Sequence, residues 1–117
     1  RRSNRPTVRP SDRPTDQPVP FHLHSIAHAQ EAAKWHKLAA EQGFSPSQLK
    51  LSKLYFSGAG VIFNPVLAHM WSNIANSKGE KGSQEFMDYL SNSMSEDQLE
   101  KAQELARQCV NKKYIGC

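Results

Sequence analysis

Nowhere in this chain do apolar residues run for the ~18 positions that a helix needs to cross a bilayer, so no membrane span is expected. No segment alternates apolar and polar side chains long enough to make a half-buried strand. Helix is therefore the only regular structure that the pattern supports. The sequence also lacks the usual marks of chemistry. No serine stands in GxSxG, and no strand exists to carry a nucleophile elbow. Gly58-Ala59-Gly60 is a loop without the longer glycine run that cradles phosphate. Glu96, Asp97, Glu100 and Glu104 share the solvated side of one expected helix instead of forming an acid/base pair. His22, His24 and His28 cluster, and His24 and His28 have the i,i+4 spacing that can chelate a metal on a helix. No Cys, Asp or Glu of suitable spacing completes the set. The chain is thus expected to be no enzyme, with no cofactor, no metal and no small-molecule substrate.

What is present is unevenly spread. Of seven prolines, Pro6, Pro10, Pro14, Pro18 and Pro20 lie in residues 1–20, and so do Arg1, Arg2, Arg5, Arg9 and Arg13 of six arginines. Against Asp12 and Asp16 this segment holds +3 of the formal +4, leaving the remainder nearly neutral. Proline at every fourth position removes amide donors and disfavours helix, so 1–20 reads as an extended leader, solvated or foreign. It is the one place where nucleic acid or an anionic surface would bind electrostatically, and that role is not expected. Ala27-His28-Ala29 resembles a small-x-small processing site, but FHLHSI before it is too short and polar for a signal-peptide core. Residues 21–30 read as a linker or a helix extension.

From about residue 31 the pattern is helical, with five helices. The first spans roughly 31–42, with Ala32, Trp35, Leu38, Ala39 and Gln42 as one stripe at the 3.6 period, expected to face inward. Gly43 suits a left-handed stop. Ser45-Pro46-Ser47-Gln48 reads as a capping box opening a second helix, which buries Leu51, Leu54 and Tyr55 and ends at Gly58. Asn64-Pro65 starts the third helix, to about Ser77. Residues 83–93 form the fourth, with Phe86, Met87 and Leu90 inward. Ser95-Glu96-Asp97-Gln98 is a second capping box, for a last helix through about Val110.

AAKWHKLAAEQG (32–43) and AHMWSNIANSKG (68–79) superpose at an offset of 36, matching Ala32 to Ala68, Trp35 to Trp71, Leu38 to Ile74, Ala39 to Ala75 and Gly43 to Gly79. Both tryptophans of the chain fall at the same phase. A helical hairpin of this size cannot bury its own apolar face, and stacking on a neighbour buries it, which is the logic of a solenoid.

The run AxxWxxxAAEQG, then SxxQxxLxxLYxxGxGV, then a second AxxW block resembles the Sel-one-like repeat, a branch of the tetratricopeptide-repeat superfamily. Ala32, Trp35, Ala39, Gly43, Gln48, Leu51, Tyr55, Gly58, Gly60, Ala68, Trp71 and Ala75 match its packing positions, and Met94–Cys109 is similar to its closing helix. The second unit lacks the GxGV loop, as a terminal unit before a cap would. The resemblance covers 31–111, with the cap at 95–111 and a tail at 112–117. It implies an all-α, α/α-solenoid fragment acting as a protein-interaction scaffold, in bacterial members often in the envelope. The first helix is then the second half of a hairpin. Its open face needs a cover: residues 21–29, an upstream repeat, or another molecule, a second copy giving a homodimer.

The partner, a protein or peptide, is expected in a concave groove lined by Leu49, Lys50, Lys53 and Phe56 with Gln84 and Asp88 from the next unit, the two lysines receiving a carboxylate. His36 and His69 share no repeat phase and are expected at the solvated surface or groove edge. Cys109 and Cys117, the only cysteines, can close an eight-residue loop as a disulfide. That pairing implies an extracytoplasmic home, the periplasm in a bacterium. One buried and one free thiol in the cytoplasm is the alternative.

Overall fold

Five helices make up the regular structure of the computed structural model, which describes residues 21–117, with side chains from Ile26 onward. They are α1 (Phe21–Glu41), α2 (Ser45–Ser57), α3 (Pro65–Ser77), α4 (Ser83–Ser91) and α5 (Glu96–Asn111), with no strand among the described residues. The arginine–proline leader and the side chains of His22 and His24 lie outside the described part. Residues 21–30 belong to α1 and extend it.

The internal repeat reappears as one helix stop used twice. After α1, Gly43 takes φ +88°, its N–H donates to the Ala40 carbonyl, and Phe44 N–H donates to that of Ala39. After α3, Gly79 takes φ +83°, donating to Asn76 O, while Glu80 N–H donates to Ala75 O. Each is a paired closure that needs a left-handed residue, and glycine supplies it without a Cβ penalty.

Two of the three expected helix starts are found. Asn64 Oδ1 accepts from Leu67 N–H at 3.0 Å with Pro65 behind it. At α5 the capping box is complete: Gln98 N–H donates to Ser95 Oγ at 3.1 Å and Ser95 N–H to Gln98 Oε1 at 2.9 Å. The box expected at Ser45 is not formed. Phe44 occupies the N-cap position with no side-chain bond. Ser45 Oγ donates instead to Glu80 Oε1, 2.9 Å away in the α3–α4 turn, and the buried Gln48 Nε2 donates to the Ala40 carbonyl at 3.1 Å. Tertiary partners took both side chains from the local cap.

Successive helices pack as hairpins, α1 on α2, α2 on α3 and α3 on α4, and α5 returns onto α3, giving a small solenoid-like all-α array. One core cluster joins Ala40, Leu51, Met70, Trp71, Ile74, Ala106 and Cys109, and a second joins Ala68, Leu90, Met94 and Ala102. Alanines at 68 and 75, fully buried, let backbones approach closely. Ser52 Oγ of α2 bonds the Ala68 carbonyl of α3 across that gap.

α1 corrects the expected packing. Its buried residues are Ala33 and Ala40, whereas Ala32, Trp35, Leu38 and Gln42 are exposed and Ala39 is half-buried. Periodicity identified a shared face, but the helix turns its opposite side to α2. His69 is also buried rather than solvated, and burial pushes its imidazole below the usual histidine pKa. His36 lies half-buried, its Nδ1 3.5 Å from Ser47 Oγ.

The C-terminal tail folds back on the array. Cys109 and Cys117 form a disulfide with Cα atoms 5.6 Å apart. Lys113 and Tyr114 take φ of 55° and 70°, a conformation that side-chain-bearing residues rarely adopt. This turn sets Tyr114 against the first core cluster, with Lys78 Nζ 5.1 Å from its ring centroid. The same Lys78 ammonium donates to the Gly43 carbonyl. The tail thereby joins the ends of both repeat units. Reduction is expected to lower stability by about 2 kcal/mol, the loop-closure value for so short a ring. Urea unfolding with and without reductant measures it, and Cys109→Ala/Cys117→Ala should show no further effect of reductant.

Candidate partner-binding face

A group of partly exposed aromatic rings lies where α2 meets α4 and the loop before α3. Phe56, half-buried near the end of α2, is the centre. Its ring centroid is 6.0 Å from Phe63, 6.0 Å from Phe86 and 5.5 Å from Tyr89. The Phe86 and Tyr89 contacts are edge-to-face, an arrangement favoured by ring quadrupoles. Phe86 and Tyr89, one helical turn apart on α4, stack with centroids 6.2 Å apart. The inner rings, Phe56 and Phe86, rest on the second core cluster, while Phe63 and Tyr89 are 57% and 58% exposed. The result is an apolar strip of four rings centred on Phe56, with Phe63 and Tyr89 open to solvent.

Charged side chains stand on both helices that carry the rings. Lys50 and Lys53 are exposed on α2, and Lys53 Nζ stands 5.8 Å from the Phe86 ring centroid. From α3, Asn76 Nδ2 donates to Gln84 Oε1 on α4 at 2.9 Å, and Gln84 Nε2 donates to Asp88 Oδ1 at 3.0 Å, one turn further along α4. Such a surface can seat an apolar, aromatic or proline side chain on the rings while a carboxylate reaches the lysines.

Of the residues expected in a groove, Lys50, Lys53, Phe56, Gln84 and Asp88 lie on α2 and α4, and Lys53 and Phe56 meet α4 directly. Leu49 does not belong. It is 8% exposed and packs beside the α3–α4 turn, its Cδ2 3.8 Å from where a Cβ on Gly82 would stand. The sequence pattern points to neither Phe63 nor Tyr89, and Phe86, expected inward, packs on the second core cluster while also meeting Phe56 and Tyr89. The i,i+3 spacing of Phe86 and Tyr89 was the available signal. Among the packing positions, Leu51, Ala68, Trp71 and Ala75 are fully buried. Tyr55 is half-buried, and burial together with the Glu41 carboxylate pushes its hydroxyl above the usual tyrosine pKa. Gly58 (φ +71°) and Gly60 (φ +81°) shape the loop that carries Phe63.

A separate open cleft of about 580 Å³ lies between α3, α4 and α5, floored by Ile74, Met87, Ala106 and Val110 and edged by Asn73, Gln103 and Arg107. Met87, expected in the core, lines this cleft. Arg107 is paired with Glu104 beside it. Among the described residues no three His, Cys, Asp or Glu side chains come together as a metal site, and no helix is long and apolar enough to cross a membrane.

No family model, curated protein or solved structure matches the chain.

Proposed function

We propose that this chain is a non-enzymatic protein-interaction scaffold of the Sel-one-like helical-repeat type. The α2–α4 face takes an extended or helical peptide segment of another protein. The single observation that carries this reading is the strip of Phe56, Phe63, Phe86 and Tyr89, two of them more than half exposed, beside Lys50 and Lys53. Large rings already packed against one another lose little side-chain freedom on binding, and aromatic anchors with a charged rim are the usual source of interface energy. The Cys109–Cys117 disulfide supports an oxidising, extracytoplasmic setting, the periplasm if the host is a bacterium.

Selection from a random peptide display library against the full chain tests the reading. Enriched peptides should share an apolar or proline anchor next to an acidic residue. Lys50→Glu with Lys53→Glu should weaken the best peptide at least tenfold, and Phe56→Ala with Tyr89→Ala should abolish its binding. Failure to enrich any shared motif, or binding that both double variants leave unchanged, would overturn it.

A further inference from the structure

Exposed apolar side chains do not stop at the aromatic strip. Ile26, in the first turns of α1, and Ile62 line one open cleft of about 510 Å³ with Ala29 and Gly60, and Ile62 is 88% exposed. Ile62 precedes Phe63 in the chain, so an apolar track leads from the start of α1 across the loop to Phe56 and Tyr89. The segment joined to α1 at Phe21 reads SDRPTDQPVP (11–20). It carries the groups that the strip and its lysines can take: prolines, one valine, and the carboxylates of Asp12 and Asp16.

We propose that residues 12–20 of this same chain occupy the strip, with Pro14 on the rings, a carboxylate toward Lys50 and Lys53, and Arg13 toward Asp88. The inference rests on the α2–α4 face being a peptide site and names the segment that holds it until a partner displaces it. The reach is sufficient. Ala29 lies against the Gly60 loop, and the eight residues back to Phe21 rise about 12 Å as helix. At about 3.1 Å per residue, four extended residues, 17–20, return that distance. Residues 12–16 then span about 12 Å more, enough to pass over Phe56, whose neighbours Phe63 and Tyr89 stand 6.0 and 5.5 Å from it. The charges also match on both sides. α2 offers Lys50 and Lys53 and α4 offers Glu85 and Asp88, all exposed, while the segment sets Arg13 between Asp12 and Asp16. A purely acidic or purely basic segment would meet repulsion from one of the two helices. Prolines favour an extended backbone, so little freedom is lost on docking against aromatic rings. Tethering supplies an effective concentration on the order of 1 mM, so contacts too weak to hold a free peptide suffice within the chain.

Two-dimensional amide NMR of the full chain, disulfide intact, at about 30 and 300 µM tests the contact against the variant Asp12→Lys with Pro14→Ala and Asp16→Lys. These substitutions leave residues 21–117 untouched, so the fold is not at risk. The expected result is that the amides of Lys53, Phe56, Phe63 and Tyr89 shift between the two chains, by the same amount at both concentrations. Added to the variant, the free peptide SDRPTDQPVP should move the same amides back at millimolar concentration. A peptide selected on the strip should bind the variant at least threefold more tightly than the parent chain. No shift on the strip, or shifts confined to another face such as the acidic side of α5, would overturn the proposal. In that event a selected peptide that still moved the strip amides would leave the peptide-site reading standing. Shifts that fade on dilution would assign the contact to the leader of a second copy and overturn the contact within one chain. If neither the leader nor any selected peptide moved the strip amides, both readings would fall together.

Discussion

Trp71→Ala is expected to cost the folded chain about 3–5 kcal/mol, while Trp35→Ala, measured at ~1 µM protein, changes stability by no more than about 0.5 kcal/mol. The two residues are the same type at the same repeat phase, so the contrast isolates burial. Trp71 is 0% exposed and shares a cluster with Ala40, Leu51, Met70, Ile74, Ala106 and Cys109, drawn from α1, α2, α3 and α5. Removing it opens a cavity that these helices border and cannot jointly collapse. Trp35 leaves its outer face in water and gives up one exposed bond to Glu31. The Trp71 Nε1–H has no hydrogen-bond partner, so Trp71→Phe sheds an unsatisfied donor along with some volume. That variant should lose no more than about 1–2 kcal/mol. Urea unfolding followed at 222 nm measures all three, and equal losses at the two tryptophans would refute the asymmetry between the repeat units.

The same contrast shows what sequence can and cannot carry. Glycine at 43 and 79 announces a left-handed stop because no other residue meets that backbone cheaply, and both stops are found where the repeat puts them. The Ser95–Gln98 box is legible because its partners lie three residues apart and nothing distant competes. The Ser45–Gln48 box has the same pattern and fails, because Glu80 and the Ala40 carbonyl offer those side chains better partners from across the fold. Local rules hold where the element is solvated and yield where it is packed. Helical phase grouped Trp35 with Leu38 correctly, yet whether a face is covered depends on what lies beside the helix, which phase does not encode. For the same reason the binding face was half legible. Lys50, Lys53 and Phe56 share an α2 surface, but Leu49 was placed there without knowing that the Gly82 turn would cover it. Phe63 entered only through the path of a loop.

Gly60→Ala is expected to destabilise the chain by about 3–4 kcal/mol and to loosen α1 selectively, whereas Gly79→Ala costs about 1 kcal/mol. Both glycines have nearly the same backbone, φ +81° and +83°, so the left-handed penalty of about 1–2 kcal/mol is common to both. Their surroundings differ. A Cβ at Gly79 meets nothing within 4 Å. A Cβ at Gly60 would stand 2.1 Å from the Ala29 carbonyl oxygen and 2.5 Å from its carbon. Those are backbone atoms of α1, so no rotamer change relieves the clash, and either the helix swings away or the loop refolds, at a further cost of about 1–3 kcal/mol. Ala29 and Gln30 of α1 lie against this loop, so the amides of the first turns of α1 should exchange with solvent faster in Gly60→Ala and at the normal rate in Gly79→Ala. Equal exchange in the two variants would mean that the close approach of Gly60 to Ala29 does not hold α1 in place. Because the Gly60 loop fixes α1 at one end and carries Phe63 at the other, the substitution should also weaken peptide binding on the α2–α4 face. Gly79→Ala should leave that binding intact.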